Sequence, residues 1–490
     1  MIIFIILLLP LAAAGFSCIP LNKHWAPGVT VASCLTILFL VVQMAWQIAA
    51  GGSVTAELNA VLLKWIAVDG LSALILLLIA LVGATTSIFS MGYMAAESLK
   101  PGKLRLYYAN YNLFIFSMMA IPVLAEPTLV WIVVELTTLC SALLVAFENT
   151  HEALEAAWKY VVLSLMGAGI ALFGFLILFA AMQAAGGGTY TWAGLTTCAP
   201  KMPVILLQPA FLLILVGLGT KVGLVPMHTW LPDAHSQSPS PVCALLSGVE
   251  TTVILYVILR LFPIMKAAPG SHAEVWALIF GLLSVGASAF LLLQVRDYKR
   301  MFAFSTVEHM GIILVAAGLG SLNGDYGAML QMVSHSVTKS FCFFAAGAAL
   351  LTLGTREIAA VSGLIRTSPA AGAALLFGAL AIGGAPPFAV FLSEFSIFRA
   401  GLEQGRYLVT ALLAIFITVA FFGILLQVNR MVFGQPTIQP APVRKTLPFT
   451  CVLALIVAAI PILVLGVYQP SPLHKLLALA ASNLAQVPSP

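Results

Sequence analysis

Residues 217–241 read GLGTKVGLVPMHTWLPDAHSQSPSP, and this stretch decides the fold. Lys221 stands at the end of a long apolar run with no acid beside it. Pro226 and Pro232 then interrupt the helix, and His228 and His235 follow at once. A lone cation deep in a membrane span is costly even on lenient insertion scales. A helix broken at that depth frees backbone groups that protein, or a water-filled cavity, must satisfy. Together they mark a candidate ion or proton site. The plainer alternative is a lysine that snorkels to the interface beside a proline kink that only packs.

The rest of the chain supplies the membrane. Of 490 residues, 61% are hydrophobic and 8% charged, too few charges to wet a soluble surface. Mean hydropathy is +1.07. Apolar runs of spanning length recur from end to end, which implies an all-α polytopic membrane protein without a soluble domain. The net charge of +5 is spread over loops, so it speaks to orientation and not to nucleic acid. Cys18, Cys34, Cys140, Cys198, Cys243, Cys342 and Cys451 are scattered, form no CxxC pair, and read as small core residues. The apolar N-terminus has no basic n-region and reads as a first span, not a removed signal peptide.

Sized against roughly 20 residues per crossing, the sequence predicts about fourteen transmembrane helices. The third carries Asp69 at its interfacial start, the fifth holds Glu135, and the sixth includes Lys159. The seventh is the broken helix of the opening stretch, and the eighth holds Glu250. The ninth ends in the basic cluster VRDYKR at 295–300. The tenth has Glu308 and His309, and the eleventh has His335 and Lys339. The twelfth is broken by GGAPPF at 383–388 and then shows Glu394. Placing the N-terminus outside gives inner loops roughly twelve Lys/Arg against roughly seven outside, with the 92–105, 296–300 and 430–448 loops carrying most of the weight. Both termini are therefore expected on the outer side. The two interrupted spans lie five crossings apart, an odd offset that inverts topology. Paired broken helices in an inverted repeat point to a transport site.

The buried polar residues suggest chemistry. A carboxylate such as Glu135, flanked by WIVV and LTTLCSALLVAF, is held charged there by a neighbouring cation. Lys221 is its expected partner if the fifth and seventh spans touch. Such a pair switches when the lysine moves, as coupled titration requires. The alternative is a static buried ion pair that specifies packing. His335 and Lys339, four residues apart, share a helix face. With His309 they form a candidate relay, since histidine titrates near neutrality and a desolvated lysine can relay. Glu308 points about 100° away from His309 and is expected to face a partner chain or a loop. Glu394 reads as the terminal site of the second half. His228 and His235 lack a helical ligand spacing, so no metal is expected. No phosphate-loop, dinucleotide or haem-attachment motif occurs, so no cofactor is expected in this chain.

Four blocks carry a family resemblance: KVGLVPMHTWLPDAHSQSPSPV (221–242), VRDYKRMFAFSTVEHMGIIL (295–314), SHSVTKSFCFFAAG (334–347) and PPFAVFLSEF (386–395). They resemble the antiporter-like membrane subunits shared by respiratory complex I, Mrp-type cation/proton antiporters and membrane-bound [NiFe] hydrogenases. The segments 107–124, 131–147 and 152–174 look most like the hydrogenase-4 component F branch. The resemblance implies two inverted five-helix repeats, helices 4–8 and 9–13, with broken helices 7 and 12. The corresponding divisions are 1–105, 106–265, 266–433 and 434–490, the last comprising helix 14 and a tail. It also implies that Glu135, Lys221, His309, His335, Lys339 and Glu394 form the proton-translocation set. Thr252 falls where many members have a bridging lysine. Glu250, two residues away and about 200° around the helix, is not expected to replace it, so the onward route depends on water or on Thr252, or is impaired and this subunit does not pump fully.

The expected function is a proton-translocating, antiporter-like subunit of a multi-subunit redox complex in the inner membrane. Partner membrane and soluble subunits would carry iron–sulfur clusters and [NiFe] or flavin. An Mrp-type Na⁺/H⁺ antiporter subunit and a non-pumping membrane anchor are the two alternatives.

Overall fold

A computed structural model of the chain describes residues 2–52, 65–97, 99–435 and 446–485. Part of the 430–448 loop used for orientation lies outside the described residues. Helices α1 (Ile2–Ser17), α2 (Trp25–Ala49) and α3 (Gly70–Ala96) lead to α4 (Pro101–Ala120), α5 (Pro127–Val145) and the long α6 (His151–Ala184). The short α7 (Trp192–Cys198) precedes α8 (Val204–Val222) and α9 (Trp230–Gln237). Then α10 (Ser240–Leu245), a π-helical turn (Leu246–Glu250), α11 (Thr251–Leu259) and α12 (Leu261–Ala267) run on as one rod. Helices α13 (Ala273–Leu292), α14 (Tyr298–Gly318) and α15 (Leu322–Leu353) follow, and α16 (Leu364–Thr367) is one turn. The chain continues through α17 (Pro369–Ile382), α18 (Ala389–Glu403), α19 (Tyr407–Phe433), α20 (Phe449–Val467) and α21 (Ser471–Ala485).

Among the described residues, 11 helices are long and apolar enough to cross a membrane. Helices α1 and α17 are apolar but shorter. Polarity sorts the helices radially. The apolar length of the rod between Ser240 and Ala267 is buried, and that of α14 and α15 nearly so. These three carry Glu250, Glu308, His309, His335 and Lys339. The charge-poor α19 and α20 lie outside and present Phe422, Leu426, Ile456 and Ile460 outward. That is the order expected where lipid is the outer solvent and ionisable groups must face protein. Helix α15 is the central post, packed against α3, α10, α14, α17, α18, α20 and α21. The sequence predicts only a tail after the last span. The structure has α21 there, whose buried Leu476, Leu477, Ala480 and Leu484 dock on α3 and α15.

Two breaks organise the interior. Gly223 takes φ 85°, and its N–H and that of Leu224 return to the Gly219 carbonyl, which closes α8. Pro226 lacks the N–H needed to continue. In the second break α17 ends at Ile382, Gly384 takes φ 77°, and Pro387 follows. In both, the left-handed glycine precedes the proline by three residues, and the Val225–Pro226 and Pro386–Pro387 bonds are cis. Pro232 behaves differently from the sequence expectation. It falls in the first turn of α9, where a missing N–H costs nothing, so the interruption lies between Val222 and Trp230.

Basic residues of the 295–300 cluster turn inward to hold the segment after the first break. Lys299 is buried and donates to the Ser236 carbonyl at 3.0 Å and to the Ser238 carbonyl. Asp233 binds Arg300 and lies 3.3 Å from Lys159. Arg356 donates to the Ser236 carbonyl and to Gln237 Oε1 at 3.0 Å. On the other side of the core, Asp69 caps α3 through the Ser72 N–H and pairs with Arg260, tying α3 to the rod.

Candidate functional site

Lys221 occupies the last turn of α8, directly before the first break, and is 3% exposed. Its ammonium donates to the Val134 carbonyl at 2.7 Å and to the Thr137 hydroxyl at 2.6 Å, with Thr138 as a third acceptor. All three acceptors belong to α5. Glu250 Oε1 lies 3.5 Å from Nζ, in a pair whose carboxylate side is 2% exposed. Glu250 also accepts from the Tyr160 hydroxyl at 3.1 Å and from Ser141 at 3.4 Å. A buried pair persists only when its remaining donors and acceptors are filled, and these hydroxyls fill them. The Trp230 indole packs tilted against Tyr160, ring centroids 4.4 Å apart, and donates to the Thr220 carbonyl, which the break would otherwise leave bare.

Close helix packing makes this reach possible. A Cβ on Gly167 of α6 would lie 2.6 Å from the Gly217 carbonyl of α8. Only glycine lets the two backbones approach so closely. Tyr160, two turns earlier on α6, is thereby brought to the carboxylate at the foot of α8.

The expected pairing of Lys221 with Glu135 is therefore corrected. Glu135 stays within electrostatic reach of Lys221. However, the hydroxyls of Thr137 and Thr138 and the Val134 carbonyl hold the α5 side of the ammonium, and Glu250 closes from the rod. Glu135 is half-buried, and its Oε2 is buried without a hydrogen-bond partner. Glu250, a secondary candidate from sequence, is the direct partner.

The π-helical turn carries the contact onward. The Thr251 N–H reaches back five residues to the Leu246 carbonyl. The Ser247 carbonyl accepts from the Thr251 hydroxyl at 2.9 Å and from His335 Nε2 at 3.1 Å. The Ser247 hydroxyl meets Thr306 of α14 at 2.6 Å. Single π turns are frequent at functional sites because they take backbone groups out of the α ladder. Thr252 does not bridge: its hydroxyl bonds back to the Gly248 carbonyl of its own helix, at 3.3 Å. Ser247, three residues before Glu250 in the same turn, meets His335 through its backbone carbonyl.

His335 and His309 face each other with ring centroids 5.2 Å apart. A carbonyl only accepts, so the contact with Ser247 fixes His335 as an Nε2–H ring, and its Nδ1 is buried without a partner. His309 Nε2 likewise donates to the Ile382 carbonyl at 3.1 Å. That carbonyl ends α17, so a histidine serves the second break as Trp230 serves the first. His309 Nδ1 meets Gln331 Nε2 at 2.7 Å. Lys339, four residues past His335 as expected, donates to the Phe302 carbonyl at 2.6 Å and to Ser305.

Glu394 is 5% exposed, and its carboxylate rests against Gly384 in the second break. Glu308 does not face a loop or the exterior. It is 4% exposed, within electrostatic reach of Lys339 and of Glu394. The structure thus brings Lys221, Glu250, His335, His309, Lys339, Glu308 and Glu394 into one buried band, with Glu135 at its edge. His228 sits in the break beside Phe304, and its Nδ1 has no partner. His235 is buried between Trp230 and Phe343, donating from Nδ1 to the Leu231 carbonyl at 2.8 Å.

Sequence reasoning missed Tyr160, Thr137, Thr138, Ser141, Gln331 and Ser393. Gln331 was findable: it stands four residues before His335, on the same helix face. The hydroxyls gave no signal, because serine and threonine are ordinary in membrane helices. Among the described residues no group of three His, Cys, Asp or Glu side chains could hold a metal ion. The seven cysteines are free.

Over residues 125–422 the chain matches the transmembrane family described as NADH:quinone oxidoreductase/Mrp antiporter, and over residues 65–102 the complex I chain 5 N-terminus family. It is 38% identical over 412 residues to a hydrogenase-4 component F homolog of Methylacidiphilum infernorum (isolate V4), covering 82% of this chain and 85% of that one. Its fold is similar to a chain of the membrane-bound sulfane sulfur reductase, an archaeal respiratory membrane complex, at TM-score 0.89 and 24% identity, covering 99% and 97% of the two chains. It is also similar to a chain of the Mrp complex from Dietzia sp. DQ12-45-1b, at TM-score 0.86 and 21% identity, with 99% and 97% covered.

Proposed function

This chain belongs to the NADH:quinone oxidoreductase/Mrp antiporter membrane family, and we propose that it moves protons across the membrane as the antiporter-like subunit of a hydrogenase-4-like redox complex. The observation that carries the reading is the buried Lys221–Glu250 pair, joined through one π-helical turn to the His335–His309 pair. A charge pair next to a helix break has two arrangements, closed and parted. When Lys221 parts from Glu250, the carboxylate loses its counter-charge and takes up a proton, and the unpaired ammonium gives one up or finds another acceptor. Two such groups titrate as one unit. Glu135, at the edge of the pair, is a second resting place for the lysine charge. Protons then pass through His335 and His309, with Lys339 and Glu308 as flanking charges, toward Glu394 at the second break.

In this proposal α1, α4 and the broken α17–α18 also cross, giving fourteen crossings with both termini outside the inner membrane of the cell. Residues 106–265 and 266–433 are inverted repeats, flanked by 1–105 and 434–490. The like spacing of glycine and proline in the two breaks supports that division. Electrons run through partner subunits bearing iron–sulfur clusters and [NiFe] or flavin.

The test is proton translocation by the native complex carrying Lys221→Ala. The expected result is loss of translocation with electron transfer retained. Unchanged translocation per electron would overturn the reading in favour of a membrane anchor. Sodium transport by this chain without redox partners would favour an Mrp-type antiporter.

A further inference from the structure

Gln331 is fully buried on α15, between His309 and the second broken helix. Its amide nitrogen lies 2.7 Å from His309 Nδ1, and its amide oxygen accepts from the hydroxyl of Ser393, the residue before Glu394. We propose that the Gln331 carboxamide turns over when His309 takes up a proton, and so passes the charge state of His309 to the second helix break without carrying a proton itself. The inference rests on the reading of His309 as a proton-bearing group.

His309 Nε2 faces the Ile382 carbonyl, which can only accept, so that nitrogen carries a hydrogen. In the neutral ring Nδ1 is then a bare acceptor, and the Gln331 NH₂ group is its correct partner. A proton taken up by the neutral ring goes to Nδ1, its one free lone pair, and leaves the Nε2–H on Ile382 undisturbed. Nδ1–H and NH₂ would then be two donors facing each other in a buried site, which is costly.

The amide has an inexpensive escape. Its oxygen and nitrogen are nearly the same size, and its terminal torsion is broadly two-fold. Turned over, Oε1 accepts from Nδ1–H and NH₂ donates to the Ser393 oxygen. The Ser393 hydrogen keeps an acceptor on its own helix, since its oxygen lies 2.8 Å from the Val390 carbonyl and 3.3 Å from that of Ala389. His309 Nδ1, both amide heavy atoms of Gln331 and the Ser393 hydroxyl each have a partner in both arrangements, so the site has two discrete states instead of a continuum. An amide neither gives nor takes a proton at neutral pH. Gln331 is therefore a positioning residue, and the hydrogen bond on Ser393 reverses sense one position before the Glu394 carboxylate.

The experiment is solid-state NMR of the native complex in lipid, with isotope-labelled histidine and glutamine and with the His309 signals assigned by their loss in His309→Asn. In the unaltered complex, the Gln331 NH₂ should correlate with His309 Nδ1 when the ring is neutral and lose that correlation when it is charged. A correlation that persists in the charged ring overturns the proposal. Gln331→Glu, of nearly the same shape, should keep His309 doubly protonated, while Gln331→Met should leave the Nε2–H form that the Ile382 carbonyl sets and remove only the hydrogen bond on Nδ1. Proton translocation should fall about tenfold in both. A His309 ring that becomes neutral in Gln331→Glu as readily as in the parent, or translocation within about twofold of the parent in both variants, overturns it. Lys221→Ala measured alongside separates the two levels. If that variant translocates normally, the functional reading falls. If it fails while the Gln331 variants work, only the role of Gln331 falls.

Discussion

Lys221 Nζ stands 3.5 Å from Glu250 Oε1, and the carboxylate comes from the rod, whereas the ammonium's hydrogen-bond acceptors all come from α5. The lysine is thus held by neutral acceptors on α5 and by one direct charge partner on the rod, with Glu135 within electrostatic reach. Removing one charge leaves the other buried and unpaired, which costs about 3–5 kcal/mol. Glu250→Gln and Lys221→Ala should each lower the thermal stability of the purified complex. The double variant should be more stable than the sum of the two losses predicts. A double-mutant cycle reads this directly, and strict additivity would show that the pair is uncoupled.

Tyr160 tests the environment of the carboxylate. Its hydroxyl donates to Glu250 at 3.1 Å and meets Ser141 at 2.7 Å. A hydrogen bond to a charged group contributes about 1.5–3 kcal/mol. Tyr160→Phe should keep the packing on Trp230, and so the fold, while lowering proton translocation. Trp230→Phe should do more damage, because it bares the Thr220 carbonyl at the break. Comparing melting temperature with translocation rate in the two variants separates the roles.

The second break offers a steric test. Gly384 takes a left-handed conformation, and a Cβ there would collide with the Glu394 carboxylate. The backbone penalty for alanine is about 1–2 kcal/mol, and the collision adds to it. Gly384→Ala should therefore impair translocation and destabilise the protein. Gly384→Ala combined with Glu394→Asp, which shortens the acid, should recover part of the stability. No recovery would mean that the backbone conformation alone matters.

Asp69 gives a pH dependence. It stands outside the span Gly70–Ala96, as the cap of α3, beside Arg260. Burial pushes its carboxyl up, but the Arg260 charge and the hydrogen bonds from Arg260 and Ser72 outweigh this and hold it below the usual carboxylate range. A lowered folded-state value means the contribution is present above the unfolded value, about 3.9, and is lost as pH falls through the folded one. Asp69→Asn should lower the melting temperature at neutral pH. The gap to the parent should close as the medium is acidified below about pH 4. A gap constant across that window would refute the assignment.

The two breaks, the helical class and the isolated ionisable residues were legible because each violates the apolar pattern of a membrane span. Partner choice was not. Glu135 was matched to Lys221 because both are charged and the two spans could touch, yet the distance between side chains depends on rotations that no periodicity encodes. Glu250 was set aside on the angle separating it from Thr252. That angle described its relation to the wrong residue: Thr252 bonds within its own helix, and the π turn sets the contacts. A π turn has no propensity signature, and in LSGVE nothing distinguishes it from an ordinary helical turn. Glu308 was sent outward because it adjoins His309, yet α14 is buried on nearly all sides, so no face of it looks out.

That π turn has a mechanical consequence. Glu250 and Ser247 are three residues apart on one backbone loop, the first gripping the lysine of α8 and the second the imidazole of α15. They are two teeth of one gear. A shift of the turn that displaces one contact displaces the other, so the lysine of α8 and the imidazole of α15 hang on one element, five residues long.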